Sequence, residues 1–210
     1  MKTLAFEIAE ELARLNYDPS SILKWQAPDW YIQAVSGGLG PLGVTKGFEE
    51  LHRMGLIDRV PKAGIIQVDG CSPMVQAFTA NQPAAEAVVP ETRITVLSTG
   101  IPGFGYELLY RASQRYGGHM TSVSDDEAFK AMRNLARMEG FSVEPAAAVA
   151  FAEIAGEVTT IDQVRFLSSD LDGKFHDRRF PYLLLRPLVS TEPVVTVEAE
   201  ETRRAPGARQ

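Results

Sequence analysis

Apolar residues Leu4, Ala5, Ile8, Ala9, Leu12 and Leu15 recur at helical spacing, with Glu7, Glu10, Glu11 and Arg14 opposite, which predicts a surface helix over residues 2–16. Asn16-Tyr17-Asp18-Pro19 ends it. Residues 29–35, Asp-Trp-Tyr-Ile-Gln-Ala-Val, are rich in aromatic and β-branched side chains and read as a strand. The glycine-rich stretch Ser36-Gly37-Gly38-Leu39-Gly40-Pro41 follows, and then a second helical pattern carried by Leu42, Phe48, Leu51 and Met54. A short strand over 64–68 comes next, and strand, helix, strand at these lengths argues for a parallel α/β layer. Residues 82–92, rich in Pro and Ala, read as a connecting loop. Tyr106, Leu108, Leu109 and Ala112 predict a helix stopping at Gly117-Gly118. Ser124-Asp125-Asp126-Glu127 has the form of a capping box with acids in the first turn, and Phe129, Met132, Leu135, Ala136 and Met138 carry the helix on to Gly140. Glu144-Pro145 opens an alanine-rich helix through Ala155, closed by Gly156; strands are expected over 163–167 and 181–188.

Composition narrows the class without changing this picture. The chain has 210 residues, 45% hydrophobic and 23% charged, enough for one large domain. No composition break precedes residue 190, so residues 1–189 are expected to form one domain portion and 190–210 a disordered, solvated tail. The longest apolar run, 146–152, falls far short of the ~18 residues a bilayer needs. The acidic amphipathic start is unlike a signal peptide, and a cytoplasmic protein with no membrane contact is expected. A single cysteine, Cys71, and scattered His52, His119 and His176 offer no metal-ligand spacing. With 21 basic against 27 acidic residues the net charge is −6, and no basic cluster suggests a nucleic-acid partner.

The candidate chemistry lies in Ser36-Gly37-Gly38-Leu39-Gly40. A glycine-rich turn between a strand and a helix presents backbone N–H groups at the positive end of the helix dipole, which suits a phosphate. Two other readings stand beside this one. The glycines could serve only a tight turn, or Gly38-x-Gly40-x-x-Gly43 could be a dinucleotide fingerprint. The second needs an acid about 20 positions on, and the first acid so placed, Asp69, comes noticeably later.

Several stretches in order carry a resemblance. Residues 2–8, 28–48 and Ile66-Gln67-Val68-Asp69-Gly70-Cys71-Ser72-Pro73 are similar to the helix, phosphate loop and following strand of threonine synthase-like, fold type II pyridoxal phosphate enzymes of the tryptophan synthase β superfamily. Val123-Ser124-Asp125-Asp126-Glu127 and Met138-Glu139-Gly140-Phe141-Ser142-Val143-Glu144-Pro145-Ala146-Ala147-Ala148 resemble two further segments of that family, so the likeness runs from residue 2 to about 155. It implies an α/β fold, a three-layer parallel sheet flanked by helices, with the chain as the large-domain portion, incomplete at its N-terminus. Pyridoxal 5'-phosphate is the implied cofactor, Ser36, Gly37, Gly38, Leu39 and Gly40 its phosphate cup, and a small amino acid the substrate.

The departures are equally specific. The family's cofactor-binding lysine and its Ser-Gly-Asn loop lie upstream of the helix at residues 2–16. None of Lys2, Lys24, Lys46, Lys62, Lys130 and Lys174 stands in the expected Ser-x-Lys setting. Near the other end Val164-Arg165-Phe166-Leu167-Ser168-Ser169-Asp170 offers Ser169 as the nearest equivalent of the hydroxyl that faces the pyridine nitrogen, but the Gly-His that should follow is missing. The resemblance therefore implies a lyase of threonine synthase type present as a fragment, a split subunit or a pseudoenzyme, inactive alone, assembling as a homo-oligomer or with a missing N-terminal half. The alternative is a noncatalytic phosphate- or nucleotide-binding α/β module. Glu144 reads as a helix-start residue, Cys71 as a buried small residue, and His119 as a surface or filler residue at the head of a strand.

Overall fold

Helix α1 (Lys2–Leu15) buries Ala5, Ile8, Ala9 and Leu12 of the stripe its spacing predicts, with Ala13 beside them. They pack with Val44, Phe48 and Leu51 of α2 (Leu39–Arg53) and Tyr31 of strand β1 (Trp30–Ala34). The computed structural model describes residues 1–15, 24–138, 140, 142–157, 164–167 and 182–185. β2 (Lys62–Val68) pairs in parallel with β1 on one side and with β3 (Gly118–Val123) on the other. This parallel layer of three strands is extended by β4 (Val164–Leu167) and β5 (Tyr182–Leu185), which pair antiparallel, β5 against β1, so the strand order is β3-β2-β1-β5-β4.

The remaining helices are α3 (Pro73–Thr79), α4 (Phe104–Tyr116), α5 (Asp125–Met138) and α6 (Pro145–Glu157). Alternation along the strands sorts them into layers. Val35, Ala63, Ile65 and Met120 meet Met74, Ala77, Tyr106 and Leu109 of α3 and α4. Ile32, Ile66, Val68 and Val123 meet Ala128 of α5 and Val149 and Ala150 of α6 on the other face. Each large side chain buried this way, such as Ile65 or Leu109, is worth about 1.5–3 kcal/mol relative to exposure, and the pair of faces makes the three-layer α/β arrangement. No helix among the described residues is long and apolar enough to cross a membrane.

Three features depart from the sequence expectation. The residues after Cys71, which carry no helix signal in the sequence, open the seven-residue helix α3, with Pro73 at its start, where a missing N–H costs nothing. A single 3-10 turn, Thr95–Leu97, interrupts the stretch before α4. Helix α6 passes through Gly156 to Glu157, because the run of alanines before it favours continuing the helix. The expected tail, 190–210, lies outside the described residues.

The carboxyl ends of β1, β2 and β3 lead into Ser36–Gly38, Asp69–Ser72 and Ser124. In a sheet of this kind that edge is where ligands bind.

Candidate functional site

After β1 the ladder runs one residue further, Val35 N–H donating to the Ile66 carbonyl at 2.8 Å. The chain then leaves the sheet. Gly38 stands at φ 80°, ψ 4°, left-handed backbone that glycine adopts without strain, and α2 starts at Leu39. Space requires the glycine as much as the backbone does: a Cβ at Gly38 would lie 2.8 Å from Leu109 Cδ1 and 3.1 Å from Met74 Cε. Across from it, a Cβ at Gly105 in the first turn of α4 would run into the Gly37 carbonyl oxygen. A Cβ at Gly40 would lie 2.6 Å from the Gln33 side-chain amide. The loop is thus bare backbone held between three elements.

The start of α2 carries no side-chain cap and no acidic residue in its first turn. The N–H groups of Leu39 and Gly40 belong to that turn and have no intrahelical acceptor. Their partial positive charge, together with the helix dipole, has the sign that suits an anion and makes the loop a candidate cradle for one. Leu39 contributes through its backbone, since its side chain is 75% exposed. The five predicted residues Ser36, Gly37, Gly38, Leu39 and Gly40 therefore form one continuous turn; Ser169 lies outside the described residues. The same geometry bears on the dinucleotide fingerprint. Its third glycine should let helix meet strand, whereas a Cβ at Gly43 would lie 2.5 Å from Met1 Cβ, so this glycine admits the start of α1. Asp69, the late acid, accepts from the Ser122 hydroxyl at 2.6 Å.

Four residues around the cradle have no local sequence signal. The Ser36 and Thr99 hydroxyl oxygens are 2.5 Å apart, although 63 residues separate them. Gln33, buried in β1, accepts from the Tyr31 hydroxyl at 2.8 Å. Fully buried Gln67 accepts from the N–H groups of Met74 at 2.9 Å and Val75 at 3.3 Å and so caps α3. Gly105 lets α4 close on the loop.

Other candidates read blandly, as the sequence suggested. Burial pushes the Cys71 thiol up, away from the reactive thiolate. His119 is exposed, its ring edge-on to Phe78 with centroids 6.3 Å apart. The Glu144 carbonyl accepts the Ala147 and Ala148 N–H groups at the start of α6. Among the lysines, Lys2 pairs with Glu50 at 2.9 Å and its hydrogen bond holds that carboxyl below its usual value. Lys46 is exposed on α2, and Lys62 lies with Nζ 5.3 Å from the centre of the Trp30 ring, at the opposite end of the strands from the cradle. The described residues contain no group of His, Cys, Asp and Glu that could hold a metal ion.

The family model for pyridoxal-phosphate dependent enzymes matches residues 1–170. Threonine synthase of Methanocaldococcus jannaschii is 36% identical over 155 residues, 72% of this chain and 35% of that protein. Threonine synthase of Methanosarcina acetivorans is 34% identical over 162 residues, 77% of this chain and 36% of the relative. The chain thus spans about a third of the length of these relatives. Among solved structures, a fungal L-serine ammonia-lyase from Rhizomucor miehei superimposes with TM-score 0.51 at 22% identity, covering 74% of this chain and 44% of that one. Maize serine racemase gives TM-score 0.52 at 15% identity, covering 72% and 41%. Both share the fold.

Proposed function

The chain belongs to the pyridoxal-phosphate dependent enzyme family, and from that premise we propose that it supplies the cofactor-phosphate side of a threonine synthase-type active site. The complete enzyme would act on a hydroxy- or phosphohydroxy-amino acid by elimination or replacement. The observation that carries this reading is the uncapped, acid-free start of α2 behind a glycine loop with no room for a side chain at Gly38 or Gly40. The residues present fit the group: a phosphate dianion offers only acceptors, and the uncapped first turn of α2 offers N–H donors of matching sign. The curated relatives, threonine synthases of similar sequence over most of this chain, support the substrate class.

When bound, pyridoxal phosphate supplies an electron sink for bonds broken at the substrate's α-carbon. The chain's own part is to hold and orient. The Leu39 and Gly40 N–H groups and the Ser36 hydroxyl would take the phosphate oxygens, and the buried wall of Met74 and Leu109 behind Gly38 would exclude water from one side of the cup. A noncatalytic phosphate-binding module would use the same cup, and ligand choice separates the two: pyridoxal phosphate should bind more tightly than inorganic phosphate or a dinucleotide.

The test is a fluorescence titration with pyridoxal phosphate. Gly38→Asp should lower affinity by about a hundredfold or more, since losing two charge-assisted hydrogen bonds costs roughly 3 kcal/mol. Leu39→Asp is the companion variant. Its carboxylate sits on an exposed side chain in the first turn, where it favours the helix, so folding should hold while the added charge weakens binding about tenfold. Lys46→Ala, on the exposed face of α2, should bind like wild type. Equal affinity in wild type, Gly38→Asp and Leu39→Asp would move the cofactor elsewhere and remove the reading.

A further inference from the structure

We propose that Thr99 is a positioning residue of the phosphate site, donating its hydroxyl proton to Ser36 Oγ so that the Ser36 proton is turned toward the bound phosphate. The proposal rests on the phosphate-cup reading of Ser36–Gly40. Its starting point is the 2.5 Å separation of the two hydroxyl oxygens. Each hydroxyl has one proton to donate and two lone pairs to accept with. One proton is used between the pair, whichever way that bond runs, and one is left over. A phosphate dianion can only accept, so it draws out that remaining proton. With Thr99 donating inward, the donor that reaches the ligand is on the loop residue, and the chain Thr99 to Ser36 to phosphate polarises each bond in the same direction.

The Thr99 methyl group also faces the loop, 3.8 Å from where a Cβ of Gly37 would stand. Its own segment is anchored on both sides. Before it, Ile94 and Leu97 are buried with Val68, the last residue of β2, and Cys71 just after it. The Ile94 N–H donates to the Thr92 hydroxyl oxygen at 3.0 Å, and that hydroxyl donates to Asp125 at 2.7 Å, tying the segment to the start of α5. After it, Val88 N–H donates to the Gly100 carbonyl at 3.0 Å, and a Cβ at Gly100 would run into the Val88 carbonyl oxygen. A hydroxyl fixed this firmly can hold one rotamer of Ser36, which a loop serine alone would have to select on binding.

The experiment is a double-mutant cycle on pyridoxal phosphate affinity, using Ser36→Ala, Thr99→Val and the pair together in the full chain. Thr99→Val keeps the shape and the methyl group and loses only the hydroxyl. Each single change should weaken binding about five- to tenfold. The double variant should be little worse than Ser36→Ala alone, because a positioning residue has nothing left to position. Thr99→Ser should restore affinity to within about threefold of wild type, and pyridoxal, which lacks the phosphate, should bind wild type and Thr99→Val alike. Wild-type affinity in Thr99→Val, a double effect equal to the product of the singles, or an equal loss for pyridoxal would each overturn the proposal while leaving the cup in place. If instead Leu39→Asp binds as well as wild type, or the wild-type chain takes up no pyridoxal phosphate, the cup reading itself fails and the proposal goes with it.

Discussion

Gln67 shows how one buried polar residue can shape a site it does not touch. Its amide oxygen takes the first free N–H groups of α3, and α3 presents Met74, whose terminal carbon backs Gly38. The amide nitrogen is buried and has no partner among the described residues. Burying that donor is tolerated because the oxygen on the same amide satisfies two N–H groups that would otherwise be orphaned. Gln67→Leu should therefore lower stability by about 1–3 kcal/mol, read by urea denaturation, and should also weaken pyridoxal phosphate binding as Met74 loses its seat. A Leu variant as stable as wild type would mean that α3 finds its cap elsewhere. None of this was legible beforehand. The apolar neighbours Ile65, Ile66 and Val68 mark a buried strand, but a glutamine among them carries no sign of its partner, which lies across a turn that had not been read as the start of a helix.

Elements were legible where their signals are local. The capping box at the start of α5 is complete. Ser124 N–H and Oγ donate to the Glu127 carboxylate at 2.8 and 2.7 Å, and Glu127 N–H returns to Ser124 Oγ at 3.2 Å. The Ser124 hydroxyl and amide hold the Glu127 carboxyl below its usual range. At Asp125 burial pushes the carboxyl up, but the Thr92 hydroxyl and the Arg93 amide and guanidinium together pull it further down. Both folded values lie below the unfolded ones, so their contribution is full above the ordinary carboxylate range, about pH 4–5, and is lost as pH falls through the folded values. Ser124→Ala should cost about 1 kcal/mol at neutral pH. It should also lose less stability than wild type between about pH 5 and 2, because the Glu127 part of the acid sensitivity is removed; denaturation at several pH values reads both, and parallel curves would contradict the assignment. Helices α1, α2 and α4 were readable from apolar spacing and α6 from its Glu-Pro start; Gly117 stops α4 as expected, whereas Gly156 does not stop α6. The seven residues of α3 are too few for a periodic stripe, and the antiparallel pairing of β5 with β1 joins segments about 150 residues apart, which no local window contains. The loop was legible because strand, glycines and helix are consecutive in sequence; Thr99 and Gly105, which complete its walls, are not.

At the scale of the whole chain the proposed cup would be one wall of a site, and on that reading the lysine would come from outside the segments that resemble the family. The cup sits at the carboxyl edge of the parallel strands. Lys62 lies at the other edge over Trp30, Lys2 is engaged with Glu50, and Lys46 is exposed on the outer face of α2. A lysine that binds a carbonyl group must be deprotonated, which takes desolvation or a neighbouring cation. We therefore expect this chain to bind pyridoxal phosphate through its phosphate without fixing the aldehyde on one residue. Borohydride reduction of the mixture followed by peptide mapping should give scattered, substoichiometric pyridoxyl labels on exposed lysines, and Gly38→Asp should change that pattern little while abolishing the saturable part of the titration. A single lysine labelled to one equivalent, with the label lost in Gly38→Asp, would show that the amine belongs to the same cup and that this chain carries both halves of the cofactor's attachment.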